Sequence, residues 1–169
     1  MATHEIPILG ANTAPDSSGL VYFQPAEVAM TLGTATFGSL QVCTMSAPAG
    51  ADIGLNGKFT IPQNYVGTPV LVIRGVIAEA ANALAFGLQQ VPLADSETID
   101  VAFEAEDVAS NSTWTGYAAE DMYEETITIT PSAYAAGDEV FFFFYRDDSV
   151  DTQTGAFHLT GLFFRYADA

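Results

Sequence analysis

The chain has almost no positive charge: its 169 residues carry four lysines and arginines against twenty-one aspartates and glutamates, a formal net charge of −17. Nucleic acids and anionic membranes are held by Lys and Arg that neutralise phosphates, so neither is expected as a partner. The four cations, Lys58, Arg74, Arg146 and Arg165, form no run or stripe. Cysteine is as scarce. Cys43 stands alone in the strand-like QVCTM, where no intramolecular disulfide can form and a small core residue is the simplest role. Long apolar runs are missing too, since no stretch reaches the roughly 18 residues of a membrane helix. The start, MATHEIPILG, lacks the basic region of a signal peptide. A soluble protein made in a cytoplasm is the expectation.

Catalytic patterns are also lacking. Zinc needs three or four nitrogen or sulfur ligands, and His4, His158 and Cys43 have no metal-binding spacing. His158 reads as a half-buried strand residue. There is no G-x-S-x-G and no phosphate-cradling glycine loop. The adjacent acids Glu104/Glu106, Glu120/Asp121 and Glu124/Glu125 sit in polar surroundings, whereas acid catalysis wants one carboxyl raised by burial. The reading is not an enzyme, and no cofactor is expected. In RDDSVDTQTG, Asp147, Asp148 and Asp151 offer oxygens of the kind calcium takes, but the spacing fits no EF-hand and a plain connecting loop fits as well.

What is present is β pattern: 49% hydrophobic and 12% aromatic residues, in runs punctuated by Gly, Pro, Asn and Asp. Ten strands are expected: Leu20 to Gln24, Val28 to Leu32, Gly38 to Thr44, Lys58 to Ile61, Val70 to Ile77, Ala83 to Val91, Thr98 to Ala105, Glu124 to Thr130, Glu139 to Arg146 and Ala156 to Tyr166. In TIDVAFEAE, Ile99, Val101 and Phe103 alternate with Asp100, Ala102 and Glu104, the mark of a sheet with one dry face. One short helical turn fits Pro131 to Asp138, and Ala78 to Ala85 reads as a turn. The fold class predicted is all-β, a two-sheet antiparallel β-sandwich, jelly-roll-like, over 19–169, with an extended N-terminal arm over 1–18. That first segment either docks on a partner or folds back as an edge of its own domain.

VFFFFYR, residues 140 to 146, breaks the wet-and-dry alternation. Phe141, Phe143 and Tyr145 point one way, and Val140, Phe142, Phe144 and Arg146 the other. One set fills the space between sheets, and the other requires a loop, the arm or a second protomer as its cover. Trp114, with Tyr117 and Tyr123 in a polar stretch, suits ring stacking on sugars, an aromatic anchor at an interface, or a lid on the core.

The phrases ANTAPDSSGLVYFQPAEV, GKFTIPQNYVGTPVLVIRGV, YAAGDEVFFFFYRD and the closing GLFFRYADA together resemble jelly-roll proteins of tailed bacteriophages, above all small capsid decoration, or cement, proteins. The resemblance implies a structural protein on the outer surface of the virion, made in the host cytoplasm, that clamps neighbouring major capsid subunits as a homotrimer. It implies capsid or protomer contacts at His4, Ile6, Ile8, Leu9, Val21, Tyr22 and Phe23. An oligomer or packing face is expected at Phe142, Phe144, Leu162 and Phe164. The alternatives are a carbohydrate- or receptor-binding sandwich of a phage tail or fibre, using Trp114, Tyr117 and Tyr123, and a trimeric minor tail or fibre component.

Overall fold

The computed structural model describes residues 2–9, 28–29, 31–37, 40–47, 49–50, 52–77, 82–111, 119–130 and 134–168. Val21, Tyr22, Phe23, Trp114, Tyr117 and the strand expected over Leu20 to Gln24 lie outside these residues.

The strands are β1 (Thr3–Leu9), β2 (Val28–Ala29), β3 (Thr31–Phe37), β4 (Leu40–Ala47), β5 (Ile53–Thr60), β6 (Tyr65–Ile77), β7 (Leu84–Leu93), β8 (Asp107–Asn111), β9 (Met122–Thr128), β10 (Glu139–Arg146) and β11 (Phe157–Asp168). One sheet has the order β3-β4-β11-β6-β9, with β1 also paired to β11, and the other β2-β5-β10-β7-β8. From β4 onward successive strands alternate between the sheets, except that β7 and β8 are neighbours in one sheet, so that the orders 4-11-6-9 and 5-10-7-8 face each other. This is a jelly roll, the double Greek key of a two-sheet sandwich. Every described pairing is antiparallel except β2 with β5.

The core lies between the sheets. From one side come Leu71, Ile73, Ile127, Leu162 and Phe164, and from the other Leu55, Phe86, Leu88, Phe142 and Phe144, all buried. Each such side chain contributes about 1.5–3 kcal/mol by leaving water. Phe142, Phe144, Leu162 and Phe164 are therefore a packing face inside one protomer. They are unavailable as an oligomer surface.

Two local expectations need correction, and of the two readings of the N-terminal segment the edge is the one observed. The described part of 1–18 is strand β1. It lies antiparallel on the second half of β11 from Thr3↔Ala167 to Ile6↔Phe164, with Ile8 buried and Ile6 packed on the core. Thr98 to Ala105 forms no strand, and its Ile99 and Val101 are 72% and 44% exposed. Alternation alone could not place it, because the dry face it proposes has no opposing sheet; pairing along β7 begins at Asp107. Finally, the described part of the turn at 131–138 is a hydrogen-bonded loop, closed by Asp138 N–H to the Ala135 carbonyl and Ala135 N–H to Asp138 Oδ2.

Candidate functional site

The phenylalanine strand has two faces and both are used. Inward, Val140, Phe142 and Phe144 fill the core, and Phe144 stacks on Phe86 at 5.4 Å. Outward, Phe143 and Tyr145 stack on each other at 4.9 Å, and both are buried although they face away from the core. Glycines on the flanking strands make room for these rings. A Cβ at Gly54 would lie 2.7 Å from the Phe144 carbonyl oxygen and closer still to the Phe143 ring; one at Gly87 would strike the Tyr145 ring and the Glu106 carboxylate. Only glycine admits so close an approach. Tyr145 donates a hydrogen bond to Glu106 Oε1, and burial, then that carboxylate, push the phenol's pKa up. Among the described residues, the part of the second face that carries Phe143 and Tyr145 is thus covered from within the chain.

Phe141, at the opposite end of this outward row, is only half-buried. Lys58 Nζ lies 5.9 Å from its ring centroid and binds Glu139 Oε1 at 2.8 Å. Beside the ring is a depression of about 400 Å³. Its apolar lining comes from Leu93, Ile99 and Phe141, and its polar lining from Asp95, Ser96, Glu97 and Glu139. The turn that supplies Asp95 to Glu97 is held at both ends. Ala94 N–H donates to Glu97 Oε2 at 2.8 Å and Glu97 N–H to the Ala94 carbonyl at 3.3 Å. Ser96 has φ 70°, a left-handed conformation that side chains other than glycine rarely adopt and that recurs at ligand sites. A half-covered ring, an apolar wall and several carboxylate acceptors suit a ligand with one apolar face and many hydroxyl donors. The volume falls within the ~300–1,000 Å³ typical of small-ligand sites.

The outer face of the other sheet is built differently. Arg74 on β6 stands opposite Glu124 on β9, and Glu5 on β1 opposite Arg165 on β11. The four close on one another: Arg74 Nε to Glu124 Oε2 at 2.7 Å, Arg74 Nη2 to Glu5 Oε2 at 3.0 Å, Arg165 Nη2 to Glu5 Oε1 at 2.5 Å and to Glu124 Oε1 at 3.0 Å. The hydrogen bond from Arg74 is the main reason the Glu124 carboxyl lies below its usual range. Arg74 also covers the Phe163 ring, at 4.5 Å from its centroid.

The residues proposed from sequence are scattered. His4 stacks on Tyr166 and its Nε2 lies 3.0 Å from Asp168 Oδ2, so its contacts are within its own domain, as are those of Ile6 and Ile8. Leu9 pairs with Leu162 across β1 and β11. Tyr123, for which the sequence leaves stacking on sugars, an interface anchor and a lid on the core all open, is buried edge-on against Phe157 and donates to Glu125 Oε2 at 2.8 Å. It faces inward because it shares a side of β9 with Ile127. The three aspartates after β10 do not converge. Asp151 pairs with the fully buried Arg146, Asp147 accepts from Ser149 and Asp148 accepts from Gly50 N–H. Among the described residues no group of three or more His, Cys, Asp or Glu is placed to hold a metal. Glu104 binds the Gln90 amide and Glu106 binds Tyr145, so this acidic pair is split between two partners. His158 is half-buried, and burial lowers its pKa. The Phe141 depression was missed; its signal was a half-covered ring on VFFFFYR and the turn sequence LADSE directly after an apolar strand.

No protein-family profile matches the chain, and no curated protein does. Among solved structures it is similar to the family 11 carbohydrate-binding module of the cellulosomal cellulase Lic26A-Cel5E of Clostridium thermocellum, with 11% identity over 100% of this chain and 97% of that one at a TM-score of 0.44. The Clostridium thermocellum family 11 module in complex with a β-1,3-1,4-mixed-linked tetrasaccharide gives 9% identity over 80% and 81%, TM-score 0.43. A structure of promiscuous carbohydrate-binding modules of the β-sandwich superfamily gives 13% identity and TM-score 0.43, with 80% of this chain spanning about half, 51%, of that one.

Proposed function

We propose that this protein is a non-catalytic β-sandwich binding domain whose ligand is a carbohydrate, taken in the depression beside Phe141. The observation that carries it is that ring: partly exposed, at the edge of an apolar wall, with Asp95, Ser96, Glu97 and Glu139 around it. A pyranose lays its C–H face on such a ring while its hydroxyls donate to carboxylates, which only accept. The −17 charge disfavours acidic polysaccharides, so the glycan is neutral. Carbohydrate is the ligand class named for the sandwiches above; the assignment here stands on Phe141 and its surroundings. A neutral-glycan array with the wild-type chain and Phe141→Ala tests it. Binding that falls at least tenfold in the variant is expected; a blank array overturns the proposal.

A second reading keeps the phage decoration role, a virion surface protein clamping major capsid subunits as a homotrimer. The observed jelly-roll order is compatible with it, since that arrangement builds viral capsid domains as well as lectins. Fold does not choose between the two. Electron microscopy locating the protein on phage heads would support this reading. A monomer at high concentration that ignores capsid shells would remove it.

A further inference from the structure

We infer that residues 98–105 form a docking edge for an extended strand of another protein, one that alternates apolar with basic residues. This goes beyond the glycan reading and does not depend on it. The segment, TIDVAFEA, has the alternation of a strand, yet Ile99 and Val101 are 72% and 44% exposed. Its ties lie mostly at its ends: Asp100 N–H donates to Thr98 Oγ1 at 3.2 Å, while Glu104 donates its N–H to the Gln90 carbonyl at 2.8 Å and accepts from Gln90 Nε2 at 2.9 Å. Among the described residues, no hydrogen bond reaches the backbone of 101–103. The segment runs directly into β8, the last strand of its sheet. Edges of this kind are usually blunted by charged side chains, above all lysine, by proline or by a covering element. This one has neither Lys nor Pro, and its two charges, Asp100 and Glu104, are both negative.

Charge decides the occupant. Pairing two copies of the segment so that their apolar faces coincide puts Asp100 and Glu104 on one shared face. Antiparallel pairing about Ala102 sets Asp100 opposite Glu104, and parallel pairing stacks like on like. Like charges directly opposite destabilise a strand pair, and each chain already carries −17. A partner strand with Lys or Arg at those positions and Val, Ile or Leu between them reverses the sign of that term. Main-chain hydrogen bonds then supply the affinity, as in other cases of strand addition.

The probe is the synthetic peptide Thr-Val-Lys-Val-Lys-Val-Thr, compared with its glutamate version and with a scrambled peptide in which the valines are contiguous. The alternating lysine peptide is expected to bind at least tenfold more tightly than either control and to slow amide exchange at 99–103. An Asp100→Lys/Ala102→Lys variant, whose fold circular dichroism reports, should reverse the preference toward the glutamate peptide. Equal binding of scrambled and alternating peptides, or binding without protection of 99–103, overturns the inference, and the protection readout needs no variant. Sedimentation showing wild-type self-association that Val101→Lys abolishes would assign the edge to a second copy and also overturn it.

Discussion

The outer faces of the two sheets draw on the same residue types and end in opposite states. On the β1, β6, β9 and β11 side, two arginines and two glutamates satisfy one another, and Arg74 covers Phe163. Each charge in that quartet has two partners of opposite sign. On the β5, β10 and β7 side, the rings of Phe143 and Tyr145 are covered by glycine clefts and Glu106, while Phe141 stays partly exposed beside a depression. Phe163 and Phe141 are both partly exposed beside a cation, and the difference is the depression that opens next to Phe141. All four cations are engaged, Lys58 with Glu139 and Arg146 with Asp151 completing the set. The remaining carboxylates therefore give the molecule its negative field.

The sharpest break in this comparison comes from the rings. Phe143→Ala should cost about 3–5 kcal/mol, as for a core residue, because the side chain is 2% exposed. Phe163→Ala, half-covered by a guanidinium, should cost about 1 kcal/mol. Urea denaturation of both variants measures the gap. Next in size is Gly54→Ala, which must displace the Phe143 ring or the Phe144 carbonyl and is expected to lose about 1–3 kcal/mol by overpacking.

Smaller again is the charge quartet. Arg165→Gln should cost no more than about 1 kcal/mol, shrinking further as salt is raised, since the group is partly exposed. A calorimetric scan in low and high salt separates this from a packing effect. The slightest effect expected is the pH response. Glu124 is held below its ordinary value of 4.5, so its contribution is fully present above that pH and is lost as pH falls through the depressed value. Between pH 6 and 3 the wild type should lose more stability than Glu124→Gln. Parallel curves would show that the quartet stores none.

Sequence reached the fold through periodicity. Glu139 to Arg146 was bounded as the structure bounds it, and the two-sheet sandwich followed from alternation in strands such as 124–130. Where alternation has no sheet to face, at 98–105, the same rule misled, because burial is a property of the opposing layer. Tyr123 failed for a related reason: polar neighbours in sequence hid a side chain that points inward with Ile127. Arg146 and Asp151, a buried bidentate pair at 2.5 and 3.1 Å, sat in plain view within RDDSVD. A local loop motif does not say which carboxylate will turn inward.

On the proposed function, binding belongs to the face with the depression beside Phe141 and not to the face of the arginine–glutamate quartet. Isothermal titration of a neutral oligosaccharide taken from the glycan array into wild type, Phe141→Ala and Phe163→Ala tests it directly. Phe141→Ala is expected to weaken binding at least tenfold while Phe163→Ala leaves it within twofold; equal loss in both, or loss at Phe163 alone, would contradict it.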